Sequence, residues 1–132
     1  MTRTHQDVSP LPGSKPHAYT RQTAASGIEE ALSMLEGRWK LDIMFQLFGG
    51  HVRRFSDLER AIPAVSQKML SQQLRQMERD GIVRRIVHPQ VPPRVDYELT
   101  DWGQSLCPAL DALLGWVAAR PEAQASETKE PG

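Results

Sequence analysis

A single proline does most to restrict what this chain can become. In "FSDLERAIPAVSQKMLSQQLRQMERDG", residues 55–81, Pro63 disfavours helical geometry in the residue before it and splits a helical apolar pattern in two. In the first half, Ser56 and Glu59 have the spacing of a capping box, and Leu58 and Ile62 face inward. In the second, Ser66 is the cap, Leu70, Leu74 and Met77 form the buried stripe, and Gly81 sits at the end. Beyond Gly81 the period changes from about 3.6 to 2. "IVRRIVH" and "RVDYELT" are β-type segments with Ile82, Val95, Tyr97 and Leu99 inward. Between them the prolines of "PQVPP" cannot donate to a ladder, so this stretch is an exposed hairpin tip. Two helices across a short break, followed by a hairpin, make a helix-turn-helix with a wing.

The flanks complete the plan. "SGIEEALSMLEGRWK" opens on a capping box of Ser26 and Glu29, and Ile28, Leu32 and Leu35 form one apolar stripe. "WKLDIMFQLFGG" is apolar most of the way round, through Trp39, Ile43, Met44, Phe45, Leu47 and Phe48, and is expected to be the central core helix. Gly49 and Gly50 end it. "VRRF" has room for a single edge strand. A last helix, capped by Thr100 or Asp101, carries the stripe Leu106, Leu110, Leu113, Leu114 and Val117. The expected fold is mainly α with a small β-hairpin wing, a winged helix-turn-helix that forms a two-fold dimer. Residues 1–25 and 120–132, rich in small and polar residues, read as a mobile arm and a mobile acidic tail around a domain at 26–119.

The formal net charge is zero, but its distribution is uneven. Between Arg53 and Arg94 nine Lys/Arg face four Asp/Glu, whereas Glu122, Glu127 and Glu130 oppose Lys129 at the end. A basic middle of this kind suits a local anion-binding face. The one cysteine, Cys107, excludes an intramolecular disulfide and, with no hydrophobic leader, points to a reducing cytoplasm. No apolar run approaches the roughly 20 residues of a membrane span. His5, His17, His51 and His88 are scattered, so no metal-ligand spacing exists, and no phosphate loop or catalytic triad pattern is present. The sequence gives no sign of an enzyme, a metal or a cofactor.

The face of the second helix opposite its buried stripe carries Gln67, Lys68, Ser71, Gln72 and Arg75. These side chains pair with base edges and phosphates, and the Ser66 cap adds a helix N-terminus. A merely solvated polar face is the competing explanation. Arg94, beside Pro92 and Pro93, is placed as the wing contact, unless it pairs across the hairpin with Asp96 or Glu98. Arg53 and Arg54 are candidate backbone contacts. Leu106, Leu110, Leu113, Leu114 and Val117 suit self-complementary burial in a homodimer, against closure of the chain's own core. Trp39, Trp102 and Trp116 are expected to pack in the core; the last two are also placed to border a dimer seam or a small-molecule cavity.

Three stretches carry a family resemblance: "ALSMLEGRWKLDIMFQL", "RRFSDLERAIPAVSQKMLSQQLRQMERDGIVRR" and "HPQVPPRVDYELTDWGQSL". In this order they resemble the HxlR-type winged-helix transcription regulators, relatives of the MarR group, from about Ser26 to Ala119. The resemblance implies a cytoplasmic homodimer that binds a palindromic double-stranded DNA operator, most simply as a repressor, with an inducer of unknown chemistry. A winged-helix protein-interaction module and a ligand-sensing regulator are the alternatives. Many members carry a sensor cysteine where this chain has Ser26, so the position that the resemblance gives to a thiol switch holds no thiol, and the inducing signal is left open.

Overall fold

Residues 18–122 are described by a computed structural model, so the arm as far as residue 17 and the tail from residue 123 lie outside the described residues. The order is α1 (Arg21–Leu35), α2 (Lys40–Leu47), β1 (Arg53–Arg54), α3 (Phe55–Ala61), α4 (Gln67–Arg79), β2 (Val83–His88), β3 (Arg94–Leu99), α5 (Asp101–Gln104) and α6 (Cys107–Ala118). The three strands form one antiparallel sheet in the order β1-β3-β2, with β3 central. Arg54 lies opposite Asp96, and Arg85 opposite Tyr97.

The proline break is as expected. Helix α3 stops before Pro63, and Ile62 and Val65 turn inward at the corner, where the Val65 N–H donates to the Ile62 carbonyl at 3.1 Å. Ser66 then caps α4: its Oγ accepts from the Met69 N–H at 3.1 Å. Leu70, Leu74 and Met77 are buried on Ile43, Met44 and Leu47 of α2 and on Leu58, Ile82 and Val83. Both β-type segments form, with Ile82 and Tyr97 in the core and Val95 and Leu99 packed against it.

Several helix boundaries differ from the sequence expectation. Helix α1 begins at Arg21, because Thr20 and Thr23 form the box: Thr20 N–H donates to Thr23 Oγ1 at 2.8 Å and Thr23 N–H to Thr20 Oγ1 at 3.2 Å. Ser26 and Glu29 are therefore interior positions, and the expected domain start at residue 26 falls inside a helix. In α3 the cap is Arg54, whose N–H donates to Asp57 Oδ2 at 3.0 Å, so Ser56 and Glu59 are not the pair. The expected last helix is two. Thr100 caps α5, its Oγ1 accepting from the Gly103 N–H at 3.0 Å, and a turn follows before α6. Pro108 explains the break: it fits the first turn of a helix, where its missing N–H has no partner to lose, but not an interior.

Burial corrects the apolar stripes too. In α1, Ile28 is 61% and Leu32 57% exposed, and only Met34 and Leu35 pack on the core. Trp39 is half-buried with the Arg38 guanidinium 4.6 Å above its ring, and Trp102 and Trp116 are exposed rather than core. Phe45 is also exposed, so α2 is less completely enclosed than its composition implies. The unforeseen core residue is Lys40, 1% exposed, whose Nζ donates to the Met34 carbonyl at 3.4 Å. That carbonyl belongs to the last turn of α1, where the helix dipole favours a cation.

Candidate nucleic-acid interface

Alternation of the helical period does the first work of assembling a surface. With Leu70, Leu74 and Met77 turned to the core, α4 leaves Gln67, Lys68, Gln72 and Arg75 exposed and Ser71 half-buried on the opposite side. The first carboxylate along α4 is Glu78. This is the face that the sequence selects, brought together on a single capped helix.

The sheet places the remaining candidates differently. Residues directly opposite in an antiparallel pair share a face, and successive residues alternate. Arg94, Asp96, Glu98, Arg84, His88 and Arg54 thus lie on one face, and Tyr97, Arg85 and Arg53 on the other. It is Arg85, not Arg94, that joins α4. A groove of about 330 Å³ between α4 and β2 is lined by Ser71, Arg75, Glu78, Arg85 and Tyr97. In the sequence, the signal for Arg85 is its place two residues from both Val83 and Val87 in "VRRIV", on their face of the strand. Arg53 turns its Nε to the Gln46 carbonyl at 3.4 Å, which ties β1 to α2.

At the base of the wing Arg94 takes the paired alternative. Its Nε donates to Asp96 Oδ1 at 3.1 Å, and His88 Nε2 lies 2.9 Å from Asp96 Oδ2. Nearby, Arg84 pairs with Glu98 at 2.7 Å. The Arg94 hydrogen bond holds the Asp96 carboxyl below its ordinary range; burial opposes this, and the His88 hydrogen bond adds to it. A carboxyl with a depressed folded-state pKa contributes stability that is complete above its unfolded value of about 3.9 and is lost as pH falls through the folded value. Acidification below about pH 4 is therefore expected to loosen the wing. Amide exchange along β2 and β3 checks this: Asp96→Asn should remove the acid-dependent step, and an unchanged step would place its origin elsewhere.

The five leucine and valine positions proposed for a dimer separate into two sets. Leu110 is buried and Leu106 half-buried against the chain's own core, which is the competing role weighed for this helix. Leu113, Leu114 and Val117 are exposed, as is Trp116 at 73%. Between α1, α2 and the α5 turn lies an apolar cavity of about 200 Å³, lined chiefly by Met34, Leu35, Met44, Ile82, Trp102 and Leu106. Cys107 is a half-buried free thiol, and Ser26 lies on exposed α1 surface. Among the described residues no group of three or more His, Cys, Asp or Glu is placed to hold a metal ion. No helix among them is long and apolar enough to cross a membrane.

A capped second helix with an open polar face, seated on α2 and α3 and flanked by a three-stranded sheet with a hairpin tip, defines a winged helix-turn-helix protein. The chain belongs to the HxlR-like helix-turn-helix family, whose model matches residues 34–125. It is 47% identical over 91 residues to YtcD, an HTH-type transcriptional regulator of Bacillus subtilis (strain 168), covering 69% of this chain and 71% of YtcD. Among solved structures it resembles a MarR-family transcriptional regulator from Enterococcus faecalis V583, with a TM-score of 0.72 and 38% identity over 86% of this chain and 99% of that one. It also resembles the redox regulator HypR in its reduced form, with a TM-score of 0.67 and 36% identity over 76% and 98% of the two chains. The family and its structural neighbours are transcription regulators of the helix-turn-helix type.

Proposed function

We propose that this protein is a sequence-specific DNA-binding transcription regulator, acting in the cytoplasm as a homodimer on a palindromic operator. The observation that carries the reading is the α4 face: Gln67, Lys68, Ser71, Gln72 and Arg75 on one side, above a stripe of buried leucines, with no carboxylate before Glu78. Such a face offers amide and guanidinium groups to base edges in a major groove and cations to phosphate. The N-terminus of α4, capped by Ser66, adds backbone donors to the same end, and Arg54 extends the contacts along β1. A dimer spaces two such helices about one DNA turn, roughly 34–36 Å, apart. Seated on promoter-proximal DNA it excludes polymerase, which makes repression the simplest consequence of binding. A protein-interaction module would favour an acidic or apolar face at these positions, and α4 carries neither.

The test is fluorescence anisotropy against the DNA upstream of the protein's own gene and against a random duplex, across a salt series. Expected is selective binding that weakens steeply with salt, because Lys and Arg displace counterions from phosphate. Lys68→Ala should weaken both duplexes alike, while Gln72→Ala should cost about 1–3 kcal/mol at one base position of the selected DNA. Equal, weak binding to both duplexes would reject sequence-specific recognition of that DNA. The apolar cavity beside Trp102 favours a ligand-responsive form of the same reading. Adding single-ring apolar compounds to the assay tests it, and an unchanged affinity across the set would count against it.

A further inference from the structure

We propose that the groove between α4 and β2 is a clamp for one backbone phosphate of DNA, with Arg75 and Arg85 as its cations. The inference rests on the DNA-binding reading above and moves Arg75 from base recognition to backbone contact.

Four observations converge on the groove. Its donors come from two separate elements: Ser71 and Arg75, one helical turn apart on α4, and Arg85 on β2. Neither arginine has a carboxylate within 4.0 Å among the described residues, whereas Arg60, Arg84 and Arg94 each have one. Tyr97, at 9% exposure, lines the groove with them, and its hydroxyl has no hydrogen-bond partner among the described residues. That hydroxyl is not sealed from solvent. Glu78 is the one carboxylate among the lining residues, and two guanidinium groups leave the groove net positive around it.

Nucleic-acid geometry supplies the occupant. A sugar–phosphate ridge separates the major groove from the minor groove, so a helix lying in the first and a wing reaching the second must hold that ridge between them. The space between α4 and β2 is where the ridge passes. Guanidinium groups from both sides, with a serine and a phenol hydroxyl, are donors matched to phosphate oxygens and carry no base preference. The positions left to read bases are Gln67, Gln72 and the N-terminal turn of α4.

The test compares wild type with Arg85→Gln and Arg84→Gln on the upstream and random duplexes across a salt series. Both substitutions remove one exposed positive charge from the same strand, but Arg84 lies on the opposite sheet face, paired with Glu98. Arg85→Gln and Arg75→Gln should each weaken both duplexes by the same factor and lower the salt slope by about 1 per bound subunit. Arg84→Gln should leave the slope unchanged. Tyr97→Phe, which keeps the buried ring, should weaken both duplexes about tenfold with the slope intact. Equal slope changes for Arg84→Gln and Arg85→Gln would reduce the effect to net charge and overturn the clamp. A loss confined to the upstream duplex in Arg75→Gln would return Arg75 to base recognition and also overturn it. Wild-type protein that binds neither duplex at low salt would instead overturn the DNA-binding reading, and the clamp with it.

Discussion

Gly103→Ala should lower stability by about 3 kcal/mol, the upper range for forcing a methyl group into filled space. A Cβ at Gly103 would stand 2.3 Å from the Ile82 carbonyl oxygen and 3.2 Å from its carbon, both of them backbone atoms. Neither can swing aside as a side-chain tip would. The same carbonyl already accepts from Thr100 N–H at 3.0 Å and Thr100 Oγ1 at 3.2 Å, so α5 is clasped to the residue preceding β2. Moving α5 to admit a methyl breaks that clasp and shifts α6 with it. Denaturant and thermal unfolding check the expectation, with a melting temperature lower by roughly 10–20 °C. Gly115→Ala is the control: nothing lies within 4 Å of its added Cβ, and alanine in exposed helix should be neutral or stabilising by up to about 1 kcal/mol. Equal midpoints for the two variants would show that the contact at Ile82 yields without cost.

On the proposed homodimer reading, Leu32→Glu with Leu114→Glu should convert the protein from dimer to monomer and reduce DNA affinity by about 10²–10⁴, the gain from linking two binding units. Ile28 and Leu32 on α1, and Leu113, Leu114, Trp116 and Val117 on α6, leave large apolar surfaces in contact with water. Apolar exposure on this scale marks an interaction surface. On the proposed reading of a palindromic operator, a second copy of the chain is the occupant of these faces. Because both positions are exposed in the single chain, the substitutions leave its core intact and unfolding midpoints should change little. Light scattering after size exclusion reads the assembly directly. A double variant that keeps the wild-type mass, or a wild-type protein that is already monomeric, removes these faces from the dimer.

The legible and the illegible parts of the candidate interface divide along physical lines. Helix α4 is legible because Pro63 and Ser66 fix its start by local chemistry and because a 3.6-residue period assigns Gln67, Lys68, Ser71, Gln72 and Arg75 to one face. Arg85 was missed because a strand residue's partners depend on register and on which helix covers that face. Arg94 was placed as a free wing cation, yet the carboxylate two residues on, Asp96, holds it at 3.1 Å. Capping signals misled for a related reason. Ser26–Glu29 and Ser56–Glu59 have suitable spacing, but Thr20–Thr23 and Arg54–Asp57 lie earlier and form the caps.

Sequence by itself determined the order of elements, the helix-turn-helix break, the hairpin and the polar face of α4, since each follows from proline geometry, capping and period within a few residues. Tertiary structure decided which apolar residues are core. Leu106 and Leu110 close the chain's own interior, while Ile28, Leu32, Leu113, Leu114 and Val117, of the same residue types and periodicity, remain outside. It also decided that Lys40 is buried beneath the last turn of α1 and that Gly103 touches the Ile82 backbone. Periodicity gives the direction in which a side chain points from its own helix. What waits there, whether core, water or a second chain, depends on contacts between elements far apart in sequence.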